Sequence, residues 1–402
     1  MPESAKAGRE SKSDLVVTMT RRESGGNEIR VRSSVERLFG KKIRDVAERC
    51  LGQLGLDGVL LEIDDRGALD WVIAARIEAA AKRLFPDLTA EVVPERTGEQ
   101  PHGNPRDRLR RSRLYLPGNN PDLMLNAGLF HPDGVILDLE DSVAPAEKDA
   151  ARILVRNALL SVDFLEAERM VRINQLPAGL KDLPAVVPYG VQMILIPKAE
   201  SAEDVTAVVD ATNQIAARTG IKDPIWMMPI LETAKGILNA YQIASASEQV
   251  AALAFGAEDF TRDIQAERTK EGTESFVARS MLVLGARAAG VQPIDTVFSD
   301  VEDEEGLRAS VKEAISLGFE GKGCIHPRQI EVIHDAFRPS DEDIRYALKV
   351  KAAMEEAERT GSGVISLGTK MVDPPVVARA MRVLRLAETL GIDLSALQES
   401  EG

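Results

Sequence analysis

Residues 226–260, WMMPILETAKGILNAYQIASASEQVAALAFGAEDF, decide the fold. Two apolar runs in this stretch each stop on a carboxylate, Glu232 and Asp259, with an amphipathic segment over 234–247 between them. A short apolar run bounded in this way reads as a strand buried on both faces. The same unit recurs in both directions. Apolar runs lie at 113–116, 134–138, 170–174, 193–198, 226–232, 253–259, 294–299 and 321–327, and helical periodicity covers 145–160, 202–218, 234–247, 275–289 and 305–317. Such an alternation of strands and helices predicts a (β/α)8 barrel, an α/β fold of the TIM-barrel class. The rival, an open doubly wound sheet, carries a glycine-rich phosphate loop after its first strand, and LYLPGNNPD at 114–122 is not GxGxxG.

In a barrel, polar residues at the C-terminal ends of the strands face one mouth. Here they are Asp138, Glu140 and Asp141 after the second strand, Arg172 and Asn174 after the third, Lys198 after the fourth, Glu232 after the fifth, Asp259 after the sixth and His326 after the eighth. Any one of these acids alone reads as a solvated strand cap. Together they make a mixed acid and base pocket. Glu232 and Asp259, one strand–helix unit apart, suit a hard cation such as Mg²⁺, which takes one or two carboxylates and leaves its other positions to water and substrate oxygens.

Composition narrows the classes. The chain has 402 residues and a net charge of −14, with no basic block of the kind that tracks nucleic acid. Its aromatic content of 4% argues against a stacking platform for bases. No apolar run is long enough to span a membrane, and MPESAKAGRESKSD lacks the apolar core of a secretory signal. Cys50 and Cys324 read as small buried hydrophobes in a reducing, cytoplasmic compartment.

A separate rhythm precedes the barrel. Strands are predicted at 15–20 and 28–32 around a Ser-Gly-Gly-Asn turn, a helix at 35–52 capped by Ser33 or Ser34, a strand at 59–63 and a helix at 68–84. The first 13 residues are polar and without apolar periodicity, which predicts disorder. Residues 96–110, rich in Gly, Pro and charge, read as a linker. The expected domains are a small α+β domain over 1–95, the linker 96–110, the barrel over 111–338 and a C-terminal helical extension over 339–402 that makes subunit contacts.

Nine stretches in order carry a resemblance: RSRLYLPGNN, DGVILDLEDSVAPAEKDAAR, VRIN, LIPKAES, ILETAKGI, GAEDFTRD, DTVFSD, GFEGKGCIHPRQI and GTKMVDPP, spread over 111–375. They resemble the β subunit of citrate lyase, within the HpcH/HpaI aldolase family of malyl-, citramalyl- and citryl-thioester lyases. The front domain, through KAGRESKSDLVV, RSSVERLFG and LEIDDRGALDWVIAARIEAA, resembles the γ subunit of the same enzyme, an acyl carrier protein. The chain therefore looks like a γ–β fusion.

The resemblance implies a retro-aldol (Claisen-type) carbon–carbon lyase that cleaves a citryl thioester to an acetyl thioester and oxaloacetate. It implies Glu232 and Asp259 as Mg²⁺ ligands, Arg172 as a substrate-binding and catalytic residue, and Asp373, contributed by a neighbouring subunit, as a catalytic acid or base. Pro117, Gly118 and Asn119 form a tight loop leading into a helix, read either as a backbone contact for the thioester arm and its phosphates or as a plain turn. Asp138, Glu140 and Asp141 orient Arg172 or metal waters. Lys198 is read as electrostatic rather than as a Schiff-base amine, and His326 as structural. In the carrier family a serine bears a covalent phosphoribosyl-dephospho-CoA arm. Counting back from Phe39 without gaps, its place falls on Lys12, flanked by Ser11 and Ser13, and a one-residue slip restores a serine, with Ser13 the preferred candidate. The alternative is a lyase acting on a free CoA thioester such as citramalyl-CoA or malyl-CoA, its carrier domain a relic. Expected partners are an acyl thioester and oxo-acid, a citrate lyase α-type subunit, and further copies of the chain in a trimer or hexamer.

Overall fold

The computed structural model describes residues 3–23, 25–98, 103–361, 365–367 and 370–399. It divides into two compact units, 1–330 and 331–402. The first unit begins with β1 (Ser4–Gly8), β2 (Leu15–Arg21), β3 (Glu28–Ser33), α1 (Glu36–Gln53), β4 (Val59–Asp65) and α2 (Asp70–Leu84). Alternation buries Leu15, Val17 and Met19 of β2, and Val59, Leu61 and Ile63 of β4, against the helices.

Two expectations for this region are corrected, and the strand order adds what the sequence did not address. Residues 4–8 are not disordered: they form the antiparallel edge strand β1, from Ser4 opposite Thr20 to Gly8 opposite Val16. A backbone ladder does not need apolar periodicity in the added strand, so the sequence pattern is silent there. The strands on either side of the Ser-Gly-Gly-Asn turn do not pair. The sheet order is β1-β2-β4-β3, with β3 parallel to β4. The charged β3, EIRVRS, suits an edge, and the more apolar β4 takes the interior place. Finally, α1 has Val35 at its N-cap. The Ser33 hydroxyl is used instead to donate to Asp65 Oδ2 at 2.6 Å while accepting from the Val35 amide at 3.0 Å.

The eight parallel strands of the barrel follow: β5 (Ser112–Pro117), β6 (Gly134–Asp138), β7 (Glu168–Arg172), β8 (Met193–Ile196), β9 (Trp226–Leu231), β10 (Ala252–Phe255), β11 (Gln292–Asp295) and β12 (Gly321–Cys324). They close in sequence order, β12 pairing with β5. The outer layer contains α3 (Pro121–Leu125), α4 (Lys148–Ser161), α5 (Ala202–Thr219), α6 (Ala234–Leu238), α7 (Ala240–Ala244), α8 (Ala257–Asp263), α9 (Phe276–Ala288) and α10 (Glu304–Leu317). The expected helix over 234–247 is broken at Asn239, whose side-chain Nδ2 donates to Glu200 O at 2.8 Å. The expected strand 253–259 ends at Phe255, and Asp259 stands in the first turn of α8. Gly256 permits this abrupt turn. A Cβ there would lie 2.4 Å from Glu232 Oε2.

The stretch read as a linker is fastened where it is described. Arg106 donates to Val250 O at 2.8 Å, Arg108 to Glu166 O at 2.9 Å, and Arg110 pairs with buried Glu168 at 2.7 and 2.9 Å. These contacts tie it to the N-terminal ends of β7 and β10, opposite the mouth. The second unit contains most of α11 (Arg328–Phe337), then α12 (Asp341–Thr360), the short pair β13 (Ser366–Leu367) and β14 (Lys370–Met371), α13 (Pro374–Thr389) and α14 (Leu394–Glu399). Ile344, Ala347 and Leu348 of α12 share its core with Ala380, Leu384 and Ala387 of α13. Cys50 and Cys324 are free and buried, and burial pushes each thiol up to about 12. Among the described residues no helix is long and apolar enough to cross a membrane.

Helix α2 seats the front domain on the barrel through charge rather than through apolar area alone. Glu78 accepts from Arg156 of α4 at 2.7 and 3.1 Å and from the Val92 amide at 2.7 Å, with both charged side chains essentially inaccessible. Removing Arg156 leaves buried Glu78 with only Lys82, 2.8 Å away, and the Val92 amide to compensate it, and strips the bidentate contact between the two parts. Arg156→Met is expected to destabilise the chain by ~3–5 kcal/mol, read as a lowered denaturation midpoint. An unchanged midpoint would show that the pair does not hold the two parts together.

Candidate active site

Asp138, the last residue of β6, is 2% exposed and organises the mouth. Its carboxylate accepts from the amides of Glu140 at 2.9 Å and Ser142 at 3.1 Å, which curls the following loop back over it. It also receives Arg172, the last residue of β7, through Nε at 2.6 Å and Nη2 at 2.7 Å. Burial raises the Asp138 carboxyl, but Arg172 more than reverses this and holds it below its usual range. Arg172 Nη1 lies 3.0 Å from Glu140 Oε2, and the guanidinium sits 5.4 Å from the centre of the Tyr115 ring. Its orientation is therefore fixed from three sides.

A second cluster adjoins it. Lys198, in the left-handed region at φ 49°, donates its backbone amide to Glu232 Oε1 at 2.8 Å. Its ammonium donates to Glu140 Oε1 at 2.8 Å and lies 3.3 Å from Asp259 Oδ2. Burial opposes the Lys198 charge, but these carboxylates outweigh it and raise its pKa. A Schiff-base lysine needs a neutral amine. This one is held as a cation. Asp259 also pairs with Arg262 one turn further along α8. Glu232 is 4% exposed, and burial, followed by the charge of Asp259, pushes its carboxyl up to about 8.

Among the described residues no cationic side-chain nitrogen lies within 4.0 Å of the Glu232 carboxylate, whose hydrogen bond comes from the Lys198 backbone amide. Two neighbouring carboxylates, Glu232 without a cationic side chain of its own and Asp259 beside Lys198 and Arg262, are hard oxygen donors that fit a Mg²⁺ ion bound largely through water and substrate. Among the described residues no group of three or more His, Cys, Asp or Glu side chains is arranged to hold a metal, so a protein-only cage of the zinc type is not offered. A cavity of about 360 Å³ opens beside the cluster, lined by Arg113, Tyr115, Asp138, Arg172, Glu232 and Asp259 among others.

The remaining sequence candidates divide. Pro117 ends β5 and lines the cavity. Gly118 donates to Asp138 O at 2.8 Å, and a Cβ there would lie 2.5 Å from that oxygen, so the approach requires glycine. Asn119 is buried, and its carbonyl accepts from Arg76 Nη2 at 3.0 Å. Asn174 is tied to Asp182, and His326 Nδ1 accepts from the Arg328 amide at 3.2 Å, both local structural uses. Ser11 is exposed in the β1–β2 turn. Ser13, at φ 61°, donates its hydroxyl to Asp122 Oδ1 at 2.8 Å, and Lys12 lies 3.2 Å from the same oxygen. Asp373 belongs to the second unit, where it is exposed and immediately precedes α13 with an extended backbone, φ −74° and ψ 151°.

Sequence reasoning passed over Arg113 and Tyr115. The signal was present in RLYL, where alternate residues of a barrel strand point inward. An arginine and a tyrosine at inward positions belong to the interior rather than to the helical layer.

With the site described, its relatives can be placed. The family profile described as HpcH/HpaI aldolase/citrate lyase matches residues 111–327. An acyl carrier profile, described as malonate decarboxylase delta subunit, matches residues 2–84. The chain is 42% identical over 302 residues to citrate lyase subunit beta of Leuconostoc mesenteroides subsp. cremoris, covering 74% of this chain and 97% of that one. It is 32% identical over 329 residues to the mitochondrial citramalyl-CoA lyase of Rattus norvegicus, covering 79% of this chain and 97% of the relative. Among solved structures it resembles CitE from Mycobacterium tuberculosis in complex with magnesium, acetoacetate and coenzyme A, with a TM-score of 0.58, 32% identity and coverage of 70% of this chain and 99% of that one. The barrel, its mouth and these matches agree: the chain belongs to the HpcH/HpaI aldolase/citrate lyase family and carries an acyl-carrier-like domain in front.

Proposed function

We propose that this chain, a carbon–carbon lyase by its family, cleaves a citryl thioester to an acetyl thioester and oxaloacetate with Mg²⁺ bound at Glu232 and Asp259. The observation that carries the reading is the pair of neighbouring carboxylates, Glu232 buried without a cationic partner and Asp259 next to it, set beside a guanidinium locked in place by Asp138. The presence of magnesium with acetoacetate and coenzyme A in the CitE structure supports it. When bound, the ion supplies electrostatic stabilisation to the oxygens that gain charge.

Cleavage requires that the tertiary hydroxyl lose its proton, that the carbon–carbon bond break with its electron pair passing to the thioester carbon unit, and that the resulting enolate be protonated. Arg172 faces the cavity in an orientation that needs no reorganisation and binds a substrate carboxylate or carbonyl oxygen. Asp138 and Glu140 are positioning residues that hold Arg172, and Lys198 neutralises part of the acid cluster. Asp373 of a neighbouring copy in a homotrimer or hexamer is the proton carrier in this reading. Its exposed place before α13 leaves the carboxylate available. Pro117–Asn119 borders the entry of the thioester arm. In the front domain, exposed Ser11 rather than hydrogen-bonded Ser13 carries the phosphoribosyl-dephospho-CoA arm, and an α-type partner exchanges its acyl group. The two free, buried thiols suit the cytoplasm. A second reading, a free acyl-CoA substrate, is favoured by Lys12 in the place expected for the modified serine.

Glu232→Gln and Asp259→Asn are each expected to lower kcat/KM by on the order of 10²–10³-fold and to abolish Mg²⁺ binding in a titration. Unaltered metal affinity in both would remove the metal assignment. The raised carboxyl also fixes a pH dependence. Between 4.5 and about 8 the folded chain binds more protons at Glu232 than the unfolded one, so that contribution to stability declines as pH rises through the window. Mg²⁺ competes with the same proton. Calorimetry on the wild type should show Mg²⁺ affinity rising with pH up to about 8 and then levelling, and an affinity flat over that range would remove Glu232 as a ligand. For the carrier, intact mass of protein from its native host should show the prosthetic increment, lost in Ser11→Ala and kept in Ser13→Ala. An unmodified wild type would favour the free acyl-CoA reading.

A further inference from the structure

Arg113 is an unusual occupant of a barrel interior. It is 1% exposed, yet among the described residues no carboxylate oxygen lies within 4.0 Å of its guanidinium nitrogens. Of its five donors, Nη2 reaches Asp295 O at 3.2 Å, Nη1 lies 3.0 Å from the sulfur of Met228, and Nε has no partner. Thioether sulfur is a weak acceptor. The nearby carboxylate of Asp295 is already committed twice, to Arg279 at 3.0 and 3.0 Å and to Lys322 at 2.8 Å, and offers Arg113 only its backbone oxygen. A buried guanidinium without a counter-ion is costly, and proteins ordinarily supply a carboxylate. Arg113 also lines the same cavity as Glu232, Asp259 and Arg172. Its register partners on both neighbouring strands, Gly134 on β6 and Gly323 on β12, have no side chain to cover it.

We infer that Arg113 is the specificity residue of this site: it binds a second substrate carboxylate in the cavity and selects acyl groups with a carboxymethyl branch. The inference rests on the lyase reading above and deepens it. At the carbon where a citryl group bears a carboxymethyl, a citramalyl group bears a methyl and a malyl group a hydrogen. Only the first delivers a second anion alongside the carboxylate and hydroxyl that engage the opposite, acidic side of the cavity. The planar fork of Arg113 suits a carboxylate. An enzyme built for the methyl compound would leave this charge unmatched through the whole reaction.

The test is calorimetric binding of freshly prepared oxaloacetate and of pyruvate, in the presence of Mg²⁺, to the full chain and to Arg113→Met and Arg113→Gln. The wild type is expected to bind oxaloacetate about tenfold or more tightly than pyruvate. In both variants the preference should vanish through weaker oxaloacetate binding, with pyruvate affinity kept and the denaturation midpoint unchanged or raised. Arg113→Gln retains a donor for Asp295 O and decides the matter if the Met variant does not fold. A folded variant that keeps the oxaloacetate preference overturns the inference. So does a wild type that binds both acids equally, which leaves the lyase reading standing. A wild type that binds neither acid overturns that reading, and the inference with it.

Discussion

The pairing of Asp138 with Arg172 is the constraint on which the mouth of the barrel depends. Asp138 is buried at a strand end, where an unpaired carboxylate would be expensive, and it accepts four hydrogen bonds: two from the loop that follows it and two from the next strand. The amide bonds shape the loop that carries Glu140 and Asp141. The Arg172 bonds fix a guanidinium beside Tyr115 and Glu140. Glu140 then holds Lys198, and the Lys198 amide holds Glu232. Asp138 and Glu140 are held by cationic side chains, whereas Glu232, at the end, is held by a backbone amide. Compensation thus falls from Asp138, which accepts four hydrogen bonds, to Glu232, which is held by one backbone amide, and the proposed reaction places its cation at that end.

The same device attaches the front domain. Arg76 of α2 forms a buried two-point pair with Asp14 at 2.9 and 2.8 Å, and its Nη2 also reaches the carbonyl of Asn119 in the loop after β5. One guanidinium therefore joins the β1–β2 turn, the helix behind it and a loop next to a cavity-lining residue. Ser13 and Lys12 add a second attachment at Asp122 on the same side of the barrel. Such contacts are directional, so they fix where the turn bearing Ser11 sits as well as that it sits. With that turn bonded to the loop after β5 and to α3, the proposed carrier role would make the length of the arm, rather than motion of the whole domain, set its reach.

Much of this was legible in the sequence because it is periodic. Eight apolar runs and their helices repeat, and the strands lie within a few residues of their predicted places. The acids and bases at their ends were readable as a group because barrel geometry sends strand C-termini to one face. What periodicity cannot carry was missed. Ladder pairing made residues 4–8 a strand despite a polar sequence, and the parallel insertion of β4 between β2 and β3 is set by which strand tolerates an edge. Asp259 was placed on a strand because AFGAED looks continuous. The break is imposed by the close approach of Glu232 to Gly256, a long-range contact with no local signature.

Arg113 shows a different limit. In sequence, an arginine beside a serine at the start of a strand looks like surface punctuation, and the two arginines just before it are accounted for by Glu168 and Asp133. Only the closed barrel shows that Arg113 points where nothing answers its charge, while Asp295 nearby is doubly paired. The contrast between the two is informative. A fold that can satisfy a buried aspartate with two cations has no general difficulty in pairing buried charge. The cavity accordingly has two unbalanced groups of opposite sign, Glu232 and Arg113. Under the proposed reaction their joint presence answers a ligand from both ends, a cation-chelating head and a separate anionic tail.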